Sequence, residues 1–356
     1  MDKKLRVGVI GLGMGRGHAR RYKKDPRVEL VAVADTDEAR LKERADELDV
    51  IGRYRDGAEL IASEKPDVVC IATPNFLHKP LAIQAMEAGC DVLCEKPMAM
   101  NGAEGRAMIE TSRKTGRRLM INFSFRFNPA SWAMKREVES GAIGDIYYAR
   151  TSWLRRQGMP GFGSWFGQKK LSGGGPLIDL GVHRLDLVLW LMGYPRPTWI
   201  LGSACSHVAS ELARAEGKTY DVEDLAVAMI RFDNGATVTL EASWAGHIKR
   251  FETIETQVLG TRGGLKQSNP DPREPYRFES EAYMERNGVE CDLALGKVRG
   301  APADAMTHFT DCILSDSPHM ATAEEGLIVQ DILDAIYQSA ATGEPVRMTD
   351  VATPAA

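Results

Sequence analysis

The sequence has no long apolar run, no paired cysteines and no excess of positive charge, and each absence removes a class of protein. Its longest apolar stretches, such as Val31 to Ala34 and Val68 to Thr73, are strand-sized and fall far short of the roughly 20 residues a membrane helix needs. No membrane partner is expected. The opening MDKKLRVGVIGLG passes from a charged stub straight into an apolar strand, without the apolar region and small-residue cleavage site of a secretory signal. A soluble, cytoplasmic protein is the expectation. The six cysteines (Cys70, Cys90, Cys94, Cys205, Cys291, Cys312) are scattered, which predicts reduced thiols and neither a metal site nor a disulfide framework. A net charge of -4 offers no basic footprint to a nucleic-acid backbone. What remains is a globular balance, 44% hydrophobic and 26% charged over 356 residues, a length that suits about two domains.

Residues 5 to 122 alternate short β-branched runs with helical patterns, the rhythm of βαβ units and a doubly wound parallel sheet. Strands are predicted near 5 to 10, 28 to 34, 67 to 72, 91 to 95 and 118 to 122, with a weaker one at 50 to 54. Runs such as VELVAVA and DVVCIAT are nearly continuously apolar, as a sheet covered on both faces requires. After Asn122 the texture changes, which places a first domain at 1–123 and a second, α+β in character, at 124–356, with the C-terminal helix packing back on the first as an option. In the second, one helix is read across 125 to 144, a strand at 145 to 152 and a long glycine-rich, aromatic loop at 155 to 175. A helix over 177 to 191 comes next, and then strands near 198 to 206, 224 to 232, 236 to 244 and 252 to 259. Asp233-Asn234-Gly235 between two Val/Ile/Thr-rich runs marks an antiparallel hairpin. Residues 268 to 303 are polar and give no clear pattern, and helices close the chain at 304 to 314 and 323 to 341.

Gly11, Gly13, Gly15 and Gly17 follow the first strand and open the first helix, with Met14 inside the turn. Lacking side chains, such a turn lets backbone N–H groups and a helix N-terminus approach a pyrophosphate. Arg16 stands where the strict dinucleotide pattern has its third glycine, and a purely structural turn explains the same residues. Asp35 ends the second strand, 24 residues beyond Gly11, where an acidic side chain accepts hydrogen bonds from the adenosine ribose. With Asp37 beside it, it disfavours a 2′-phosphate, so NAD is expected over NADP. The plain alternative for Asp35 is a helix cap, which Asp37 equally supplies.

Three further stretches carry chemistry: CIATPNFLH at 70 to 78, CEKP at 94 to 97 and SGGGPLIDLGVHRLD at 172 to 186. With the glycine turn, Arg126 and Pro129, GAIGDIYYAR at 141 to 150 and VEDLAVAMIRFDNGA, they make the sequence resemble the Gfo/Idh/MocA oxidoreductases, the glucose–fructose oxidoreductase and inositol dehydrogenase family. The resemblance covers most of the chain. It implies a Rossmann domain with a C-terminal α+β domain built on a large, mostly antiparallel open sheet, and homodimers or homotetramers formed through that sheet. It also implies hydride transfer between NAD and a secondary hydroxyl or keto carbon of a sugar, sugar derivative or inositol. Lys96 matches the lysine beside the nicotinamide, and Asp179 and His183 match the active-site pair, with His183 as proton acceptor. Thr73, Pro74, Asn75, His78 and Glu95 fall with Lys96 among the cofactor contacts, although His78 would serve equally to cap or pack its helix.

The residue chemistry agrees with those roles. Positions four apart share a helix face, so Asp179 and His183 can point together. A histidine titrating near neutrality suits the base for an alcohol, and a lysine stabilises developing alkoxide. Trp153, Arg155 and Trp165, in or leading into the glycine-rich loop, offer aromatic faces and donors for a sugar, and Arg126 can reach the site or anchor the domain junction. Packing is the alternative for each. Two other activities fit the same resemblance: a glycosidase that oxidises and re-reduces its substrate through bound NAD, and a dinucleotide-sensing regulator, against which the retention of Lys96, Asp179 and His183 argues.

Overall fold

The computed structural model describes residues 4–349. The described residues divide into two units: 4–123 with Pro302–Leu327, and Ser124–Ala301 with 328–349. The segment 302–327 thus groups with the first unit, although it lies within the 124–356 stretch that the change of texture marks.

The first unit begins β1 (Leu5–Ile10), α1 (Gly15–Lys24), β2 (Val28–Ala34), α2 (Glu38–Leu48), β3 (Gly52–Tyr54) and α3 (Gly57–Glu64). It continues β4 (Val68–Ile71), α4 (His78–Glu87), β5 (Asp91–Glu95), α5 (Gly102–Thr115) and β6 (Leu119–Asn122). The strands pair in parallel in the order β3-β2-β1-β4-β5-β6, the doubly wound arrangement that the alternation predicts. All four residues of β4 and of β6 are buried, which is why both strands read as apolar, broken only by Asn122 at the end of β6. The helices start on side-chain caps where the sequence supplies them: Asp37 for α2, Asp56 for α3 and Asn101 for α5. Strand order reverses between β1 and β4, so the turns following these two strands flank the switch point, where open α/β sheets bind ligands.

In the second unit, α6 (Pro129–Glu139), β7 (Ile146–Arg155), α7 (Lys169–Ser172), α8 (Val182–Met192), β8 (Pro197–Cys205) and α9 (Val208–Ala215) are followed by six strands. These are β9 (Leu225–Phe232), β10 (Thr237–Ser243), β11 (Glu252–Gly260), β12 (Gly263–Ser268), β13 (Glu279–Arg286) and β14 (Val289–Ala294). The chain ends with α10 (Ala305–Leu314) in the first unit, α11 (Ala323–Thr342), which runs from the first unit into the second, and β15 (Val346–Arg347). A nine-stranded sheet, β14-β13-β12-β11-β7-β10-β9-β8-β15, is antiparallel except where β10 runs parallel to β7. Burial alternates along β9, with Ala226, Ala228, Ile230 and Phe232 inward, while α6 packs on β12 and β13 and α8 on β7 and β11. The predicted hairpin joins β9 to β10, with Gly235 at φ 85° and Asn234 Oδ1 accepting the Ala236 N–H at 3.0 Å.

Two sequence expectations change. The unreadable stretch 268 to 303 holds β13 and β14, and the exposed or half-buried residues of β14 show why no apolar period announced it. The single helix read across 177 to 191 is a π-helical turn, Leu177–Gly181, running into α8.

Candidate functional site

In the first unit, the turn after β1 is packed on one side and open on the other. Gly11 has φ 88°, and a Cβ there would lie 2.4 Å from the Ala72 carbonyl oxygen at the end of β4. A Cβ on Gly15 would meet Ala72 and Val9 at 3.1 and 3.2 Å, whereas one on Gly13 would meet nothing within 4 Å, and Met14 is 71% exposed. Glycine is therefore needed at Gly11 for conformation and contact, while at Gly13 it leaves space. Thr73 follows β4, and its buried Oγ1 has no protein partner. Asp35 is buried and accepts the Leu12 N–H at 2.8 Å and the Asp37 N–H at 2.9 Å. Asp37 caps α2, so the capping alternative belongs to Asp37 and not to Asp35. Arg40 reaches both Asp35 oxygens at 3.2 and 3.3 Å and sets a positive charge among the two negative ones, which the sequence reading did not include.

At the end of β5, Glu95 accepts from Asn122 Nδ2 at 2.6 Å and from the Lys96 N–H at 3.2 Å, and meets His18 Nε2 at 2.7 Å. Burial pushes the Glu95 carboxyl up, but the His18 contact, the nearby positive charges and the Asn122 donor outweigh it and hold the group below its usual range. Lys96 is half-buried beside it, joined to Pro97 by a cis peptide. His78 differs from the cofactor contact expected of it: its ring is fully buried, with Nδ1 2.8 Å from the Pro97 carbonyl and Nε2 3.0 Å from the Thr73 carbonyl. It braces the two loops that follow β4 and β5. The open space at Gly13, the orphan hydroxyl of Thr73 and the carboxylate of Asp35 fit a dinucleotide, with Pro74 and the buried Asn75 shaping the same loop.

In the second unit the decisive feature is a pattern of exposure. From Gly174 to Leu191 every residue is buried except Asp179 and His183. A π turn at Asp179, of the kind that often marks functional sites, precedes α8, in whose first turn His183 lies. Asp179 Oδ2 accepts from the fully buried Trp244 indole N–H at 3.1 Å. The His183 ring lies against Phe125 and Trp153, at centroid distances of 5.4 and 5.7 Å. Trp153 is 4% exposed, and its indole N–H and the Arg155 Nε both donate to Glu252 Oε1 at 2.6 Å. Burial lowers the Arg155 pKa, but the Glu252 carboxylate outweighs that and raises it.

Arg126 also departs from the substrate role read for it. It is 1% exposed, with Nε 3.1 Å and Nη2 2.7 Å from the Asp186 carboxylate and a further hydrogen bond to Tyr194, a buried pair inside the unit. Trp165 stacks on Phe166 at 3.9 Å. Sequence reasoning missed Trp244, Glu252, Tyr276 and Phe278. Tyr276 is 6.2 Å from the Trp153 ring and Phe278 is 5.2 Å from Phe125, contacts made by the segment that showed no pattern. Among the described residues no cluster of three or more His, Cys, Asp or Glu could hold a metal, and no helix is long and apolar enough to cross a membrane.

Comparison with known proteins finds two family domains along the chain. The model for the oxidoreductase family's NAD-binding Rossmann fold matches residues 5–123, and the model for its C-terminal alpha/beta domain matches 135–348. D-glucoside 3-dehydrogenase of Escherichia coli K12 is 32% identical over 353 residues, covering 97% of each chain. The scyllo-inositol 2-dehydrogenase (NAD(+)) of Bacillus subtilis 168 is 28% identical, over 98% of this chain and 97% of its own. Levoglucosan dehydrogenase solved in complex with NADH superposes with a TM-score of 0.84 at 26% identity, over 97% of this chain and 99% of that one. Matched in both domains and across nearly its whole length, the chain belongs to the Gfo/Idh/MocA oxidoreductase family.

Proposed function

We propose that the protein is an NAD-dependent dehydrogenase that oxidises a secondary hydroxyl of a sugar, sugar derivative or inositol, or reduces the corresponding ketone. The observation that carries this reading is that Asp179 and His183 alone are half-buried within an otherwise fully buried segment of 18 residues, 174 to 191. Ionisable side chains left half-open in so apolar a segment, one against aromatic rings and one on an indole N–H, are placed to meet a ligand.

His183 is the proton acceptor for the reacting hydroxyl, and the flanking Phe125 and Trp153 rings hold its imidazole in place. Asp179, fixed by the Trp244 indole, accepts a hydrogen bond from a neighbouring hydroxyl or from His183. Lys96 stabilises the oxygen as negative charge develops on it. Bound NAD supplies the hydride acceptor, and Gly11, Gly13, Met14, Gly15, Asp35, Thr73, Pro74 and Asn75 are the residues to hold it. Trp165 and Tyr276 supply aromatic faces for the sugar. Trp153 and Arg155 shape the surroundings of His183 through Glu252, while Arg126 and His78 act from within the structure.

A homodimer or homotetramer formed through the outer face of the nine-stranded sheet belongs to the same reading. On that face Leu201, Val227 and Met229 are 40 to 43% exposed, and Leu201 pairs across strands with Met229. Six free cysteines, four of them buried, support a cytoplasmic location.

The test is reduced-nicotinamide absorbance on incubating the protein with NAD and a panel of inositols, aldoses and glycosides. His183→Ala and Lys96→Ala should lower kcat by about 10²- to 10⁴-fold, the range of positioned acid–base and electrostatic groups, while NAD still binds. Full activity in both variants would remove these roles.

A further inference from the structure

The segment Asp221–Asp224 has no place in the chemistry above, yet its three acidic side chains each receive the N–H groups at the start of a different helix. Asp221 Oδ1 accepts from the Lys169 N–H at 2.6 Å, at the start of α7. Glu223 accepts from the Gly175 N–H at 2.9 Å and the Leu177 N–H at 3.0 Å, where the π turn begins. Asp224 Oδ2 accepts from the Val208 and Ala209 N–H groups, both at 2.7 Å, at the start of α9. None of these helices is capped by its own preceding side chain: Gln168, Pro176 and His207 make no such bond. The caps come from one short stretch distant in sequence, and each places negative charge at the positive end of a helix.

One of the three helices carries Asp179 and His183. We propose that Glu223 is a positioning residue for this pair, its carboxylate fixing the first turn of the segment and so the direction in which Asp179 and His183 emerge from it. The inference rests on the catalytic reading of those two residues.

The glycines before Pro176 show how closely the parts fit. A Cβ on Gly175 would lie 2.1 Å from the Glu223 carbonyl oxygen, and one on Gly174 would lie 1.9 Å from Tyr337 Oη. Tyr337 itself donates to Glu223 Oε1 at 2.9 Å, so the carboxylate is held from α11 while it holds the helix start. The Tyr220 hydroxyl donates to the Glu223 carbonyl at 2.9 Å and steadies the backbone. The same segment governs the other partner of Asp179: the Asp224 carbonyl accepts the Trp244 backbone N–H at 3.1 Å and the Ser243 hydroxyl at 2.9 Å, and the Trp244 indole donates to Asp179. Glu223 thus sets where the Asp179 backbone begins, and Asp224 sets where its side-chain donor stands.

Glu223 is 8% exposed, and burial raises its pKa against the pull of the two N–H donors. An ionised carboxylate in so dry a place is costly to global stability, which separates a positioning role from a purely structural one. The experiment compares Glu223→Gln and Tyr337→Phe with the parent enzyme, each with NAD bound, by amide hydrogen exchange over 172–183, by Tm, and by kcat and KM. Gln keeps the shape, but with its oxygen retained by Tyr337 and the Leu177 N–H its amide donor faces the Gly175 N–H. Exchange at the Gly175 amide should rise about tenfold or more on losing its charge-assisted acceptor, with a smaller rise at Leu177 and Tm unchanged or raised. The kcat should fall by about 10²-fold, the cost of roughly 1 Å of misplacement, while KM for NAD stays as in the parent. Tyr337→Phe should show the same pattern with smaller changes.

Unchanged exchange at Gly175 and Leu177 overturns the proposal whatever the activity, as does an increase spread over the whole second unit with a falling Tm. If the parent turns over no sugar or inositol, the catalytic reading fails, whereas the exchange data still decide whether Glu223 holds the segment.

Discussion

Two glycine clusters in this chain look alike in sequence and are used in opposite ways. In the turn after β1, the central Gly13 would lodge a Cβ in open space. In the run before Pro176, Gly174 and Gly175 would drive a Cβ into Tyr337 and Glu223. The first cluster keeps a surface clear for something that is not protein; the second lets protein fill the space completely. A glycine run states that a close approach occurs and leaves unstated what approaches.

The largest effect should come from the filled cluster. Gly175→Ala forces a Cβ against backbone that cannot rotate away, and should destabilise the fold by about 3 kcal/mol, at the upper end for overpacking, as measured by the urea midpoint. If Gly175→Ala is neutral, the two clusters do not differ as described. A smaller and differently directed effect is expected of Gly13→Ala. The stability change should stay within about 0.5 kcal/mol, as for other open positions, while NAD affinity in a fluorescence titration falls by about tenfold. Loss of stability without loss of affinity would reverse the assignment.

The smallest effect concerns the loops around the open cluster. Burial lowers the His78 pKa below the ordinary histidine value, outweighing the Pro97 and Thr73 carbonyls that favour the protonated ring, so the folded state favours a neutral ring that donates to one carbonyl at a time. Its contribution to stability is present above about pH 6.5, the unfolded value, and declines as pH falls toward the folded value, because the unfolded chain then takes up the proton first. The slope of Tm between about pH 7 and 5 should be shallower in His78→Gln than in the parent protein. An unchanged slope would show that the ring between the Thr73 and Pro97 carbonyls carries no such linkage.

Legibility followed burial. The strands β2 and β5 appear at the boundaries read from sequence because their apolar runs admit one interpretation, a strand covered on both sides. β13 and β14 escaped because their alternation is weak: ESEAYMER and VECDLA place mostly polar residues on both sides of a half-exposed edge region. The same logic governs single residues. Asp179 and His183 stood out as polar groups at helical spacing in an apolar stretch, and they are the positions left half-buried there. Arg126 and His78 are equally polar and equally conspicuous, yet both are buried and held by protein groups, Arg126 by Asp186 and Tyr194 and His78 by two carbonyls. A sequence shows that such a side chain needs partners; it does not show whether they come from the protein or from a ligand.

By itself, then, the sequence determined the parallel sheet, the hairpin after β9, the glycine turn at the switch point and the residue types of the reactive pair, since each depends on local period, turn chemistry or spacing along a few residues. Tertiary structure alone decided that Asp221, Glu223 and Asp224 cap three helices, that Trp244 meets Asp179 and that Glu252 gathers Trp153 and Arg155. Those contacts join positions from 15 to 99 residues apart, and a hydrogen bond carries no periodicity along the chain by which it could be read in advance.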